Sequence, residues 1–119
     1  MPANVLCEVI NDQRPAFRAV LTGLIDGRAH VTFSGELDVA TAPALRPVLG
    51  RLQHDGVDGL TITARDLTFM DSTGLSVLIA AARLFDGPNP IRLVEPSDQV
   101  RLILETTGVD RLFSGASES

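Results

Sequence analysis

Two β-rich runs, "FRAVLTGLI" and "AHVTFSGEL", flank the turn dipeptide Asp26-Gly27, and this pattern predicts a hairpin. The second run gives way to Gly35, Glu36, Leu37 and Asp38, with Thr41 placed to cap a following helix. In that helix Leu45, Val48, Leu49 and Leu52 fall at i, i+3, i+4 and i+7, one buried stripe. Pro47 would remove a hydrogen bond inside it, so the spacing predicts a regular helix that begins late, near Ala44. "LTITA" then alternates, and "LTFM" prolongs the apolar character up to Asp71, as expected of a strand in the middle of a sheet. A second helix carries Leu75, Leu78, Ile79, Ala82 and Phe85 on one face and stops at Gly87 and Pro88. "IRLVE" reads as a short buried strand. Pro96 and Ser97 open a third helix in which Val100, Ile103, Leu104 and Thr107 share a face, Gly108 ends it, and "VDRLF" docks behind.

The predicted order is β-β-α-β-α-β-α, an α/β sheet with right-handed crossovers and a mixed edge. Residues 1–16, with Pro2 and Pro15, are expected to form an N-terminal extension holding at most a short edge strand, and "SGASES" (114–119) a C-terminal tail. Sheets of this kind carry their sites in the loops beyond the strand C-termini. Two loops qualify, Gly35 to Thr41 and Met70 to Leu75.

A length of 119 residues fits one domain. A net charge of -5 and five Phe without Trp or Tyr argue against binding nucleic acid, which draws on basic clusters and stacking platforms. The single cysteine, Cys7, allows neither an internal disulfide nor a thiolate cluster for zinc, and a cytoplasmic location is expected. The N-terminus lacks the basic and apolar regions of a signal peptide, and no run approaches the ~20 apolar residues of a membrane span.

The chemistry concentrates in "MDSTGL", where strand hands over to helix. A hydrolase built on Ser72 would want G-x-S-x-G, yet Met70 stands two residues before it, and His30 and His54 read as a strand side chain and a helix-end cation. No P-loop run exists. Asp71 as a phosphoaspartate lacks an accompanying acidic pair and a downstream lysine. On the residues alone two readings lead, with a hydrolase on Ser72 or a phosphorelay protein on Asp71 as the weaker third. One is a plain helix cap, since Ser, Thr and Asp all suit a helix start. The other is phosphorylation of Ser72, with free first-turn N–H groups and the helix dipole holding the phosphate. Gly74 is an odd first-turn residue unless another backbone approaches it closely.

Three separated motifs, "SGELDVATAPAL", "LTFMDSTGLSVL" and "LETTGVDRLF", together resemble the STAS domain of bacterial anti-sigma factor antagonists, from about residue 20 to 113. The resemblance implies a single STAS-like α/β domain over residues 17–113, a mixed sheet with an N-terminal hairpin and helices mainly on one side. It implies a binding protein and not an enzyme, with no cofactor or metal of its own. Ser72 would be phosphorylated by a cognate anti-sigma factor that is itself a serine kinase, and a serine phosphatase would reset it. Unphosphorylated, such a protein binds the kinase and frees the sigma factor. Gly35, Glu36, Leu37, Asp38 and Thr41 would contribute to the partner interface, with Asp71, Thr73, Gly74 and Leu75 completing the surface. The chain departs from the family pattern at Thr63, where members often carry Asp or Asn, at Pro47, and after "DRLF", where a further strand and helix commonly follow. The alternative reading is a STAS module of another system, a stress-sensing complex or ligand binder with Ser72 unmodified, and behind it a serine hydrolase or phosphorelay protein.

Overall fold

Strand alternation sorts the sheet into two unlike faces. Phe17, Ala19, Ala29, Val31, Phe33, Leu60, Ile62, Ala64 and Leu93 point inward and are buried, while Arg18, His30, Thr32, Thr61 and Thr63 between them stay partly in solvent. The computed structural model describes residues 4–87 and 90–113, so Pro2, Pro88 and the tail 114–119 lie outside it. Its elements are β1 (Val5–Asn11), β2 (Arg14–Ile25), β3 (Arg28–Leu37), α1 (Ala42–His54), β4 (Gly59–Met70), α2 (Ser72–Leu84), β5 (Arg92–Val94) and α3 (Asp98–Thr107), followed by a 3-10 turn, Val109–Leu112.

The sheet order is β1-β2-β3-β4-β5. β1, β2 and β3 pair antiparallel, whereas β3, β4 and β5 pair parallel, so α1 and α2 are crossover helices. All three helices turn apolar stripes inward, through Leu45 and Leu49, Leu75 and Leu78, and Val100 and Leu104. They cover the apolar face and leave the polar one open, the one-sided arrangement expected. Phe17 and Phe33 meet edge to face at 5.3 Å in this core. Phe113 is buried as well, so the segment after α3 docks as expected.

Two boundaries differ from the sequence reading. β1 is a seven-residue strand and β2 begins at Arg14, because Asp12 and Gln13 make a tight turn at φ 54° and 66° without a glycine to announce it. Pro15 is tolerated there because it sits next to a register shift of the β1–β2 ladder. α1 starts at Ala42 and not near Ala44, since the Asp38 carbonyl accepts from the Thr41 and Ala42 amides at 3.2 and 2.8 Å and Pro43 suits the first turn. Pro47 stays inside the helix at the loss of one backbone bond. "LTITA" and "LTFM" form one strand, and α2 ends at Leu84 with buried Phe85 as its C-cap. Burial pushes the Cys7 thiol up, which keeps it protonated and a poor nucleophile.

Phe33 is fully enclosed and pairs with Phe17. Phe33→Ala is expected to lower unfolding free energy by about 3–5 kcal/mol in urea titrations; a loss below about 1 kcal/mol would show that the core does not rest on this pair.

Candidate functional site

The site is built where β3 and β4 end side by side, with Glu36 opposite Phe69 and Leu37 opposite Met70. Gly35 begins it. Its φ is +94°, and a Cβ there would stand 2.3 Å from the Ala16 carbonyl oxygen, so only glycine fits. The Thr68 hydroxyl donates to the Gly35 carbonyl at 3.1 Å, tying the two strands together.

Beyond Leu37 the chain folds into a turn around Asp38. One carboxylate oxygen, Oδ1, accepts from the amides of Ala40 at 3.0 Å and Thr41 at 3.2 Å. Thr41 occupies the N-cap position of α1, yet its side chain does not cap the helix. Its buried hydroxyl reaches back instead, donating to the Glu36 carbonyl at 2.7 Å and accepting from the Asp38 amide at 3.0 Å. Thr41 therefore closes the turn from within and presents Val39 and Ala40 to solvent.

The second loop is locked to the first through one oxygen atom. The Asp71 amide donates to the Leu37 carbonyl at 3.3 Å, and a Cβ on Gly74 would lie 2.3 Å from the same oxygen. This close backbone approach is the one that the first-turn glycine suggested. Asp71 is the N-cap of α2: its backbone is extended and its Oδ1 accepts from Thr73 N at 2.9 Å and Gly74 N at 3.0 Å. Ser72, the first helical residue, is exposed.

Two expectations change. The first-turn amides are not free to hold a phosphate, because the Asp71 carboxylate already occupies those of Thr73 and Gly74. A phosphoryl group on Ser72 would stand in solvent beside that carboxylate. Leu37, Thr41, Gly74 and Leu75 are buried, so they carry the surface from below, and the exposed or half-buried members of the predicted set are Gly35, Glu36, Asp38, Asp71, Ser72 and Thr73. Sequence reading missed Phe69, which is 39% exposed beside Glu36 although it sits in an apolar run.

Neither histidine lies near Ser72. His30 lies near the start of β3, seven residues before its end, or about 20 Å at strand rise, and His54 closes α1 at that same far end. The STAS domain profile matches residues 22–118. The chain belongs to the STAS domain family.

This STAS domain is 31% identical over 85 residues to the anti-sigma-B factor antagonist of Staphylococcus aureus (strain NCTC 8325 / PS 47), covering 71% of this chain and 79% of that one. The anti-sigma-B factor antagonist of Bacillus subtilis (strain 168) is 31% identical over 91 residues, covering 76% and 83%. Among solved structures, an anti-sigma factor antagonist from Mycobacterium paratuberculosis superposes with a TM-score of 0.72 at 29% identity over 82% of both chains. The antagonist SpoIIAA in its unphosphorylated form superposes with a TM-score of 0.71 at 20% identity, over 82% of this chain and 86% of that one, a likeness of fold. The resemblance drawn from three motifs thus holds over most of the STAS domain. No helix among its described residues is long and apolar enough to cross a membrane.

The lock predicts opposite outcomes at two helical glycines. Gly74→Ala forces a methyl group against the Leu37 carbonyl and is expected to lose about 2–3 kcal/mol. At Gly50, where nothing lies within 4 Å, alanine is expected to gain up to about 1 kcal/mol; urea midpoints shifting in the same direction would contradict the account. Asp38→Ala is expected to cost about 1–2 kcal/mol through the lost turn bonds, read from the same titration.

Proposed function

We propose that this protein is a phosphorylation-gated binding module that antagonises an anti-sigma factor. Unphosphorylated, it binds an anti-sigma factor with serine-kinase activity and so releases the sigma factor that the kinase holds. The kinase brings ATP and magnesium; the Ser72 oxygen takes the γ-phosphoryl group, ADP leaves and the hydroxyl proton passes to a base of the kinase. A serine phosphatase restores the hydroxyl. The protein itself catalyses nothing, works in the cytoplasm, and with a net charge of -5 has no direct business with nucleic acid.

The observation that carries this reading is an exposed serine hydroxyl at the head of a helix whose first turn is already closed by Asp71 and seated on Leu37. Such a serine can gain and lose a phosphate without any change in the bonds beneath it. The relatives named anti-sigma-B factor antagonists support the same reading. Phosphorylation would add about 1.5 to 2 negative charges at pH 7 beside Asp71 and near Glu36 and Asp38. Burying that dianion under a partner costs desolvation, and the Thr73 and Gly74 amides that could offset it are already held by Asp71. Charge and bulk on the surface, and not refolding, end the interaction. Gly35, Leu37, Thr41, Gly74 and Leu75 enter as the frame that holds this surface, and Glu36, Asp38, Asp71 and Thr73 as its polar part.

Mixing the protein with kinase-type anti-sigma factors and ATP is expected to place one phosphate on Ser72, mapped by mass spectrometry. Ser72→Ala is expected to bind the partner whether or not ATP is present, and Ser72→Glu to bind at least about tenfold more weakly. Equal affinities of the two variants would refute charge gating, and full labelling of Ser72→Ala would refute the site.

A further inference from the structure

Five phenylalanines are present, and four of them, Phe17, Phe33, Phe85 and Phe113, are at most 3% exposed. Phe69 alone faces solvent, at 39%. Its orientation is not what the strand would give by itself. Leu67 is buried and Thr68 exposed, so plain alternation would turn residue 69 inward. Between Gly35 and Glu36 of β3, however, the facing strand runs from Leu67 to Phe69, two steps against one. That bulge sends Phe69 outward and returns Met70, not Phe69, to the core. The parallel ladder is interrupted, and an aromatic ring is exposed, three residues before Ser72.

A second apolar side chain stands across the same edge. Val39, at 70%, is the most exposed large hydrophobic among the described residues, held on the turn that Asp38 and Thr41 close. Of the other exposed aliphatics, Ile10 stands opposite Pro15 on the outer strand pair, and Leu24 lies at the far hairpin near Asp26. Glu36, opposite Phe69 in the ladder, and Asp66, opposite Ser34, are exposed acids; Arg65 beside them is paired with Glu95, and Arg14 shares a groove of about 280 Å³ with Glu36. The backbone under both residues is fixed by the Thr68, Thr41 and Asp71 hydrogen bonds, so docking would order little that is not already ordered.

We propose that Phe69 is the apolar anchor by which the kinase-type anti-sigma factor docks, with Val39 at its rim. The partner face that fits is an apolar pocket for the ring, rimmed by lysine or arginine to meet Glu36 and Asp66. This rests on the reading of Ser72 as the gate and divides the labour: Phe69 supplies affinity, and the charge on Ser72 decides whether that affinity is used. Phe69 touches no reacting atom and is a docking residue.

The test uses the full chain with the anti-sigma kinase that labels it, measuring the Kd of the unphosphorylated protein and the KM and kcat of phosphorylation. Phe69→Ala is expected to raise both Kd and KM about tenfold or more with kcat unchanged, and Val39→Ala to raise them about threefold. Phe69→Leu should recover most of the loss, and Leu24→Ala should match the wild type. Wild-type Kd in a folded Phe69→Ala protein, or an equal loss in Leu24→Ala, overturns the proposal. Should Phe69→Ala fail to fold, Val39→Asp decides in its place, and unchanged binding overturns the proposal. A partner that binds but never labels Ser72 overturns the gate alone, since the Kd comparison still reads the anchor.

Discussion

The carbonyl oxygen of Leu37 receives the Asp71 amide at 3.3 Å and lies where a side chain on residue 74 would have to begin. Both loops of the edge depend on this contact. It requires glycine at position 74, it seats the first turn of α2 on the end of β3, and it brings the Asp38 turn alongside Ser72. Leu37 itself is fully buried, so the oxygen is held from below by the core. A functional surface on short loops is usually the softest part of a domain. Here the loops are pinned to the ends of two paired central strands, and the surface inherits their rigidity.

That rigidity shapes what a modification can do. A phosphate at a helix start commonly draws on the free amides there, ordering the segment it lands on. In this chain the Asp71 carboxylate has taken that role, so the segment is ordered beforehand and added charge has nothing to order. On the function proposed above, phosphorylation of Ser72 would be a switch read on the surface by a partner, with the fold indifferent to its state. A body that already carries a net charge of -5 gains a still more negative edge.

Much of this was legible in the sequence where local chemistry and tertiary demand agree. Asp26-Gly27 turned where turn residues should, the stripes of α1 and α3 faced inward, and an out-of-place glycine signalled a close backbone contact at position 74. What escaped was decided by geometry with no local signature. Asp12 and Gln13 adopt left-handed backbone without glycine, which hid the first hairpin. Asp71, Ser72 and Thr73 all suit a cap, and only the extended backbone at Asp71 chose among them. Phe69 could not be read as exposed because the bulge that turns it out is a property of two strands in register, not of either strand alone.

Hydrogen exchange of the backbone amides, compared between the unphosphorylated protein and the form phosphorylated on Ser72, is the most direct test. If phosphorylation changes the surface and not the fold, the Thr73 and Gly74 amides keep their protection on the Asp71 carboxylate, and altered exchange is confined to the loops around Ser72 and Asp38. Loss of protection at Thr73 and Gly74, or changes spreading through β3, β4 and α2, would contradict it.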